Sequence, residues 1–554
     1  MQKMSVGKRR FSPETAILCG ILLVAFLVRL RGITFGLPSL YDPDEPFFII
    51  TGLKLLHDGT LNPAWFGHPG TTTVYMLALI ELAVLGLGLA TGRFASVHAF
   101  GEAVYTNPAV VFVPGRLFIV FCGVACVLLT FLLGKRLFDR RVGLTAAAVL
   151  ALNPLHVTFS QIIRTDVHAT VFMLLCALAC ISIVRRGRMA DYLAAGILVG
   201  VACATKWPAA TICACIVGAC AVRCLDHPAD RRRQLGYLAL AVVAAPLALF
   251  VVSPFILLDF HQVVLDLGGE AQPHHLGATG GDFVTNVRWY ITHPLRESFG
   301  LVGLALAATG VILIGLRNRA ALGILVLGAL AFLFAVSSQT LIWSRWIVPV
   351  LPFVSLFIAA GLWGGIDLLR PGIGRWPARA CALLVGCGLL LPMAYAVNAE
   401  ARERLHDTRA EASAWARAHF PKGSTVLVEY LAIDLAHEGW QFRFPAGDIG
   451  CIDALKALKG QIRTSAVGNW RGGRSIIDIG TIDPAKLDAC RSDFAIFTHY
   501  DRYKAEQAEF GPEVAVYERL MKSGVLLKTF TPEAGKVGGP IVRIVKLDAS
   551  KPIP

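Results

Sequence analysis

Three acids fall within four residues in Asp42-Pro43-Asp44-Glu45, directly after the first long apolar block, and His68-Pro69-Gly70 follows in the same loop. A second polar loop runs Gln161-Ile162-Ile163-Arg164-Thr165-Asp166-Val167-His168, and a third, residues 255–297, carries Glu270, His274-His275, Asp282 and His293. A carboxylate held beside an acceptor hydroxyl at a dry membrane edge can act as general base, and a neighbouring carboxylate raises its pKa toward working pH. On the residues alone plainer explanations stay open. Asp42 and Asp44 also fit an Asp-Pro turn with solvated acids, Asp166 fits an acid favoured by a helix dipole, and His274-His275 fits a solvated pair that completes no metal-ligand spacing.

Cations at the ends of apolar blocks are the complement to these acids. Arg29, Arg31, Arg116, Arg164, Lys206 and Arg345 all fall on the side of the blocks that carries the three polar loops. Together they suit a phosphate, which Arg grips with two parallel bonds and Lys with a point charge. Snorkelling to lipid headgroups is the alternative for any one of them.

The elements that position these groups must be membrane helices. The chain has 554 residues, of which 55% are hydrophobic and only 16% charged, and its mean hydropathy is +0.61. Soluble chains are about 25% charged, and the apolar blocks here are as long as a bilayer is thick, so a soluble enzyme and a disordered chain are excluded. The net charge of +14 resides in short loops between blocks rather than on one surface, which points to membrane topology and away from nucleic acid. Spans are expected near 14–33, 112–134, 142–158, 167–184, 190–206, 207–224, 234–254, 298–316, 320–338, 345–366 and 378–397, about eleven in all. The first of these, following Lys8-Arg9-Arg10, lacks a small-residue cleavage site and reads as a retained span.

Every second loop is basic: Lys3 with Lys8-Arg9-Arg10, Lys135-Arg136 with Arg140-Arg141, Arg185-Arg186 with Arg188, Arg223 with Arg231-Arg232-Arg233, Arg317 with Arg319, and Arg370 with Arg375 and Arg379. The positive-inside rule assigns these to the cytoplasm and puts 34–111, 159–166, 255–297, 339–344 and everything after 397 outside. Residues 71–90 form one more apolar block. Counted as a span it would invert every later loop, so it reads as a helix lying in the outer interface or re-entering from it. From 398 onward charges return; a helix over 407–419 and strands over 425–428, 494–497 and 541–545 predict a small external α/β domain, 398–554, beside a membrane domain, 1–397. Twelve of the 14 cysteines lie in apolar blocks as small hydrophobes. Only Cys451 and Cys490 fall in the polar region, and in an oxidising compartment they are expected to pair.

Six motifs, in order, carry a family resemblance: Asp44-Glu45, His68-Pro69-Gly70, Gly134-Lys135-Arg136-Leu137-Phe138-Asp139, Arg164-Thr165-Asp166, Gly200-Val201-Ala202-Cys203-Ala204-Thr205-Lys206 and Arg345-Trp346-Ile347-Val348-Pro349-Val350-Leu351-Pro352. With them the chain, over residues 15–365, resembles the bacterial polyprenyl-phosphate-sugar-dependent glycosyltransferases related to family 39, which include the protein O-mannosyltransferases and the lipid A aminoarabinose transferase and have the GT-C fold. The resemblance implies an all-α polytopic membrane domain with membrane-lying helices in the first outer loop. It implies an inverting transfer of a sugar from a polyprenyl-phosphate donor to an acceptor glycan, lipid or protein at the outer face of a bacterial cytoplasmic membrane. Asp44 and Glu45 match the family's acidic pair, with Asp44 the base, and Asp166 matches its second acidic position. Lys206 and Arg345 would meet the lipid-linked phosphate, with Arg116 and Arg164 as further cations. Asp42, His68 and His274 are left as acceptor or loop residues; His68 stands where many relatives have Lys, and Asp42-Pro43 adds an acid before the usual pair. No cofactor is called for, and a divalent-metal requirement is left open. A transporter or flippase for a lipid-linked saccharide is the competing class; it calls for ionisable groups near mid-membrane, which the clear spans lack. A scaffold whose external domain does the binding is a third.

Overall fold

A computed structural model describes residues 13–68, 70–429, 439–453, 456 and 476–548. The basic residues Lys3 and Lys8-Arg9-Arg10, and Pro69 of the His-Pro-Gly motif, lie outside the described residues. Helices dominate up to residue 419. In order they are α1 Pro13–Leu30, α2 Glu45–Asp58, α3 Thr71–Ala90, α4 Val97–Thr106, α5 Ala109–Leu137, α6 Arg140–Ala151, α7 Pro154–Phe159, α8 Thr165–Arg186, α9 Met189–Thr205, α10 Cys213–Asp226 and α11 Arg231–Val252. There follow α12 Phe255–Leu258, α13 Phe260–Glu270, α14 Phe283–Tyr290, α15 Arg296–Arg317, α16 Arg319–Ala321, α17 Leu327–Ser337, α18 Leu351–Ile373, α19 Arg375–Leu405 and α20 Thr408–His419.

Ten helical stretches among the described residues are long and apolar enough to cross a membrane, which makes the chain a multi-pass membrane protein. Nine of them fall on expected spans, and the tenth is α3. Two of the eleven expected spans are not among these ten, one because it is broken and the other because its helix is short. The stretch 142–158 is broken at Asn153-Pro154: the Asn153 side chain accepts from His156 N and Pro154 takes the first helical turn, so α6 ends and α7 begins. The stretch 190–206 is α9, of 17 residues, at the short end of what spans a bilayer.

Small residues let the bundle close. At Gly310 of α15 an added Cβ would lie 1.9 Å from the Phe357 carbonyl of α18, and at Gly361 of α18 it would lie 2.0 Å from the Leu306 carbonyl of α15, so neither helix could approach the other with a side chain there. The same reasoning seats α9 on α11, where a Cβ at Gly200 would be 2.2 Å from the Ala245 carbonyl. The apolar core runs through α5, α6, α8, α9, α10, α17 and α18. The start of α3 is tied to the ends of α11 and α9, by Thr71 Oγ1 to Ser253 Oγ at 2.7 Å and Thr72 Oγ1 to Thr205 Oγ1 at 2.6 Å.

The long helix α19 carries the chain out of the bundle into a unit with one six-stranded sheet. Its strands are β1 Thr425–Val428, β2 Gln441–Pro445, β3 Cys451–Asp453, β4 Phe494–Phe497, β5 Gly524–Phe530 and β6 Val542–Leu547, in the order β3-β2-β1-β4-β6-β5. β1 pairs parallel with β2 and β4, and the outer pairings are antiparallel. Helices α21 Tyr500–Ala505 and α22 Gly511–Lys522 help bury one face of the sheet, and α20 buries the other. Cys451 and Cys490 are joined in a disulfide, with Cα atoms 4.9 Å apart, as their isolation in the polar region predicts. The strands expected at 425–428, 494–497 and 541–545 are all present, the last one residue later.

Candidate active site

Four chain segments end at one place, and each ends there for a local reason. Pro43 and Pro46 bracket the start of α2, where Asp42 Oδ1 accepts from the backbone N of Asp44 at 3.0 Å and of Glu45 at 3.3 Å. Arg164 stands extended at the N-cap of α8, so Thr165 and Asp166 open that helix. Lys206 is extended where α9 ends, between that helix and the 3₁₀ stretch Trp207–Ile212, which carries Pro208 in its first turn. Arg345 lies in another 3₁₀ stretch, Ser344–Val350, just before α18. Asp44, Phe48, His68, Arg164, Thr165, Asp166, Lys206 and Arg345 line the resulting narrow pocket.

Opposite charges alternate around it. Arg164 donates through Nη2 to both carboxylate oxygens of Asp42, at 3.0 and 2.9 Å, and through Nη1 to Asp44 Oδ2. Lys206 Nζ donates to Asp166 Oδ1, and both side chains are buried. Arg345 is the loosest partner: its Nη2 is 3.8 Å from Asp44 Oδ2, beyond hydrogen-bond reach, and its guanidinium lies 4.5 Å from the ring centroid of Trp343. Asp44 is the pocket's most accessible acid, with a side chain 38% exposed against 12% for Asp42 and 3% for Asp166. Burial works to raise its pKa, but the charge of Arg164, then that of Arg345, and the hydrogen bond from Arg164 outweigh it and hold the carboxyl below the usual range. Burial lowers His68 to about 3, helped by Lys206 and Arg345, so its ring is neutral at physiological pH. Trp65 meets that ring edge-on at 5.2 Å.

Several residues singled out from the sequence lie elsewhere. Glu45 and Arg116 are fully buried behind the pocket wall: Arg116 Nε and Nη2 donate to Glu45 at 2.9 and 2.6 Å, and Nη1 donates to the carbonyls of Ile33 and Phe35 at 2.7 and 2.8 Å. Glu45 Oε1 also accepts from Ile163 N at 2.9 Å. This fork ties the first loop to the α8 entry, and it leaves neither residue facing the pocket. Asp42 is no solvated turn acid, since Arg164 and two backbone N–H groups claim it. His274 is exposed and pairs with Glu509 of the sheet unit at 2.5 Å. Arg29 is buried, donating to the carbonyls of Ala25 and Ala151 and pairing with the His156 ring at 2.9 Å, so it neither snorkels nor reaches the pocket. Among the described residues no group of three His, Cys, Asp or Glu side chains is placed to hold a metal ion. The residues the sequence reading missed are Trp65 and Trp343, whose positions next to His68 and Arg345 depend on tertiary contacts; aromatics in polar loops were the available signal.

Residues 83–267 match the model of the dolichyl-phosphate-mannose-protein mannosyltransferase family. That stretch includes Arg164, Asp166 and Lys206. No curated protein is significantly similar in sequence. Among solved structures the chain is similar to ArnT from Cupriavidus metallidurans bound to undecaprenyl phosphate, at 12% identity and TM-score 0.54, over 96% of this chain and 97% of that one. The apo state of ArnT gives 14% identity, TM-score 0.53 and coverage of 97% and 98%. The Archaeoglobus fulgidus oligosaccharyltransferase tethered with an acceptor peptide gives 13% identity, TM-score 0.51 and coverage of 97% and 74%. The family resemblance seen in the motifs is thus met twice over: residues 83–267 match the mannosyltransferase family, and the fold, over nearly the whole chain, is that of the GT-C glycosyltransferases.

Proposed function

We propose that the chain is an integral-membrane glycosyltransferase that moves a sugar from a polyprenyl-phosphate donor to an acceptor at the outer face of a bacterial cytoplasmic membrane. One observation carries this reading: an ionised, accessible Asp44 faces Arg345, with Lys206 and Arg164 in the same pocket, at helix ends on the side that the positive-inside rule assigns to the exterior. The undecaprenyl phosphate in the ArnT relative and the mannosyl-phosphate donor in the family's name agree with it. Residues 398–554 would then be an external domain, and α3 a helix lying in the outer interface.

The chemistry follows from the charges. Asp44 takes the proton of the acceptor hydroxyl as its oxygen attacks the anomeric carbon. The bond from that carbon to the phosphate oxygen breaks, and its electron pair leaves with the polyprenyl phosphate. This leaving group needs charge stabilisation rather than a proton, which Arg345 and Lys206 supply. Attack and departure on opposite faces invert the anomeric centre. Asp166 holds Lys206, and Asp42 holds Arg164, in place for this. Glu45 and Arg116 form the wall that fixes the start of α2. Transfer from a polyprenyl-phosphate sugar to be identified by glycan and lipid comparison of strains with and without the protein should fall by about 10²–10⁴ in Asp44→Asn, the usual contribution of a positioned base. Undiminished transfer in that variant would remove Asp44 from the role. The flippase alternative would show itself as lipid-linked saccharide crossing a vesicle membrane without a new glycosidic bond.

A further inference from the structure

The outer loop between α13 and α14 is gripped by the sheet unit. Leu276 is 1% exposed and belongs to the apolar cluster that forms one face of that unit's core, with Phe497, Tyr503 and Leu520. Just after it, Glu506 Oε2 accepts from Gly277 N at 2.9 Å, and Glu509 Oε1 accepts from Thr279 Oγ1 at 3.0 Å. Gly277 has φ +72°, a left-handed backbone that favours glycine, and an added Cβ there would displace the Arg502 guanidinium, 1.9 Å away. The other edge of the loop is stitched to the segment before α18: Gly280 N donates to Thr340 O at 2.9 Å, and Ile342 N to Ala278 O at 2.8 Å. This lays the His275 ring edge-on against Trp343, centroids 4.8 Å apart, and Trp343 in turn carries the Arg345 guanidinium.

We propose that residues 274–279 are a plug through which the sheet unit positions Arg345 over Asp44, with Leu276, Glu506 and Glu509 as positioning residues. An arginine with no close hydrogen bond to its carboxylate has rotamer entropy to lose on binding, and stacking on a fixed indole removes much of that freedom before a ligand arrives. The indole is fixed because His275 and the stitched backbone hold it, and these are fixed because Leu276 is seated. The proposal rests on the reading of Arg345 as a contact for the donor phosphate.

Binding of undecaprenyl phosphate to the purified full-length protein tests it. Arg345→Ala should weaken binding by about 10- to 100-fold, as loss of a charge-assisted contact does. E506A/E509A, which keeps every pocket side chain, should weaken it by about 5- to 10-fold. The decisive comparison is the triple variant R345A/E506A/E509A, which should bind no more weakly than Arg345→Ala, because the plug acts only through that arginine. Losses that add, or parent-like binding in E506A/E509A, would overturn the proposal while leaving the donor-phosphate assignment intact. Parent-like binding in Arg345→Ala would overturn both. If E506A/E509A does not fold, Thr279→Val makes the same comparison by removing one hydrogen bond of the plug.

Discussion

Two clusters of buried acids in this molecule have different fates. In the sheet unit Glu429, directly after β1, accepts from Thr498 N, Thr498 Oγ1 at 2.7 Å, His499 N at 3.0 Å and Tyr517 OH. Asp478 beside it pairs with His499 at 3.2 Å and has a fully buried side chain. Every oxygen of Glu429 is claimed, and the cluster pins the ends of β1 and β4 together. In the membrane-edge pocket, by contrast, Asp44 is partly exposed and its second cation, Arg345, stops 3.8 Å short of it. Burial of charge marks both regions. What separates a site from a staple is a charge pair left loose enough for a third charged group to enter.

Substitution should separate the two cleanly. Asp44→Asn should lose about 10²–10⁴ in transfer with an unchanged melting temperature. Glu429→Leu should do the reverse, leaving buried donors without an acceptor at about 1–3 kcal/mol each while the folded fraction keeps its transfer rate. Thermal unfolding and single-turnover transfer on the same preparations would check both. A smaller effect is expected of Asp42→Asn: its oxygen still caps α2, but Arg164 loses a charge-assisted partner, so transfer should fall by about 10- to 100-fold. Parent-like transfer in that variant would return Asp42 to the role of a turn residue.

The pH dependences should also point in opposite directions. Asp44 has a depressed pKa, so its base form persists at neutral pH and is lost only as pH falls through the folded-state value. Arg164→Gln removes the largest charge opposing burial and should move the acid limb of the transfer rate to higher pH. His499 is the mirror case. Burial works to lower its pKa, but its hydrogen bond to Asp478 and the charges of Glu429 and Asp478 raise it above 6.5. The stability it contributes is present below pH 6.5 and is lost as pH rises through the folded value, so the melting temperature of the sheet unit should decline on the alkaline side. A decline only on the acid side would contradict that sign.

Much of this was legible in the sequence, for reasons that also explain the gaps. Apolar length and alternating basic loops carry the membrane architecture, because desolvating a charge in lipid is costly wherever it occurs. Asp44, Asp166, Lys206 and Arg345 stood out because they are charges at block ends where topology does not ask for them, and the structure brings these four together. Glu45 follows Asp44 in sequence, yet a helix turns about 100° per residue, so the two side chains leave in different directions and only one faces the pocket. Asp42-Pro43 looks the same in a sequence whether water or Arg164 receives the acid. The break at Asn153-Pro154 had its local signal in an Asn-Pro pair, which a continuous apolar window hides. The plug at Leu276 had none, since its partner core is assembled from residues between Leu427 and Leu547, far along the chain.

The central claim is a division of labour in the pocket, with cations for the lipid phosphate and Asp44 for the acceptor proton. Equilibrium binding of undecaprenyl phosphate to the full-length protein, to Lys206→Ala with Arg345→Ala, and to Asp44→Asn tests it most directly. The account predicts binding weakened by about 100-fold or more when both cations are gone, from two contacts of ~1.5–3 kcal/mol each, and parent-like or tighter binding in Asp44→Asn, which removes a negative charge beside the phosphate. Binding that survives loss of both cations, or that collapses in Asp44→Asn, would contradict it.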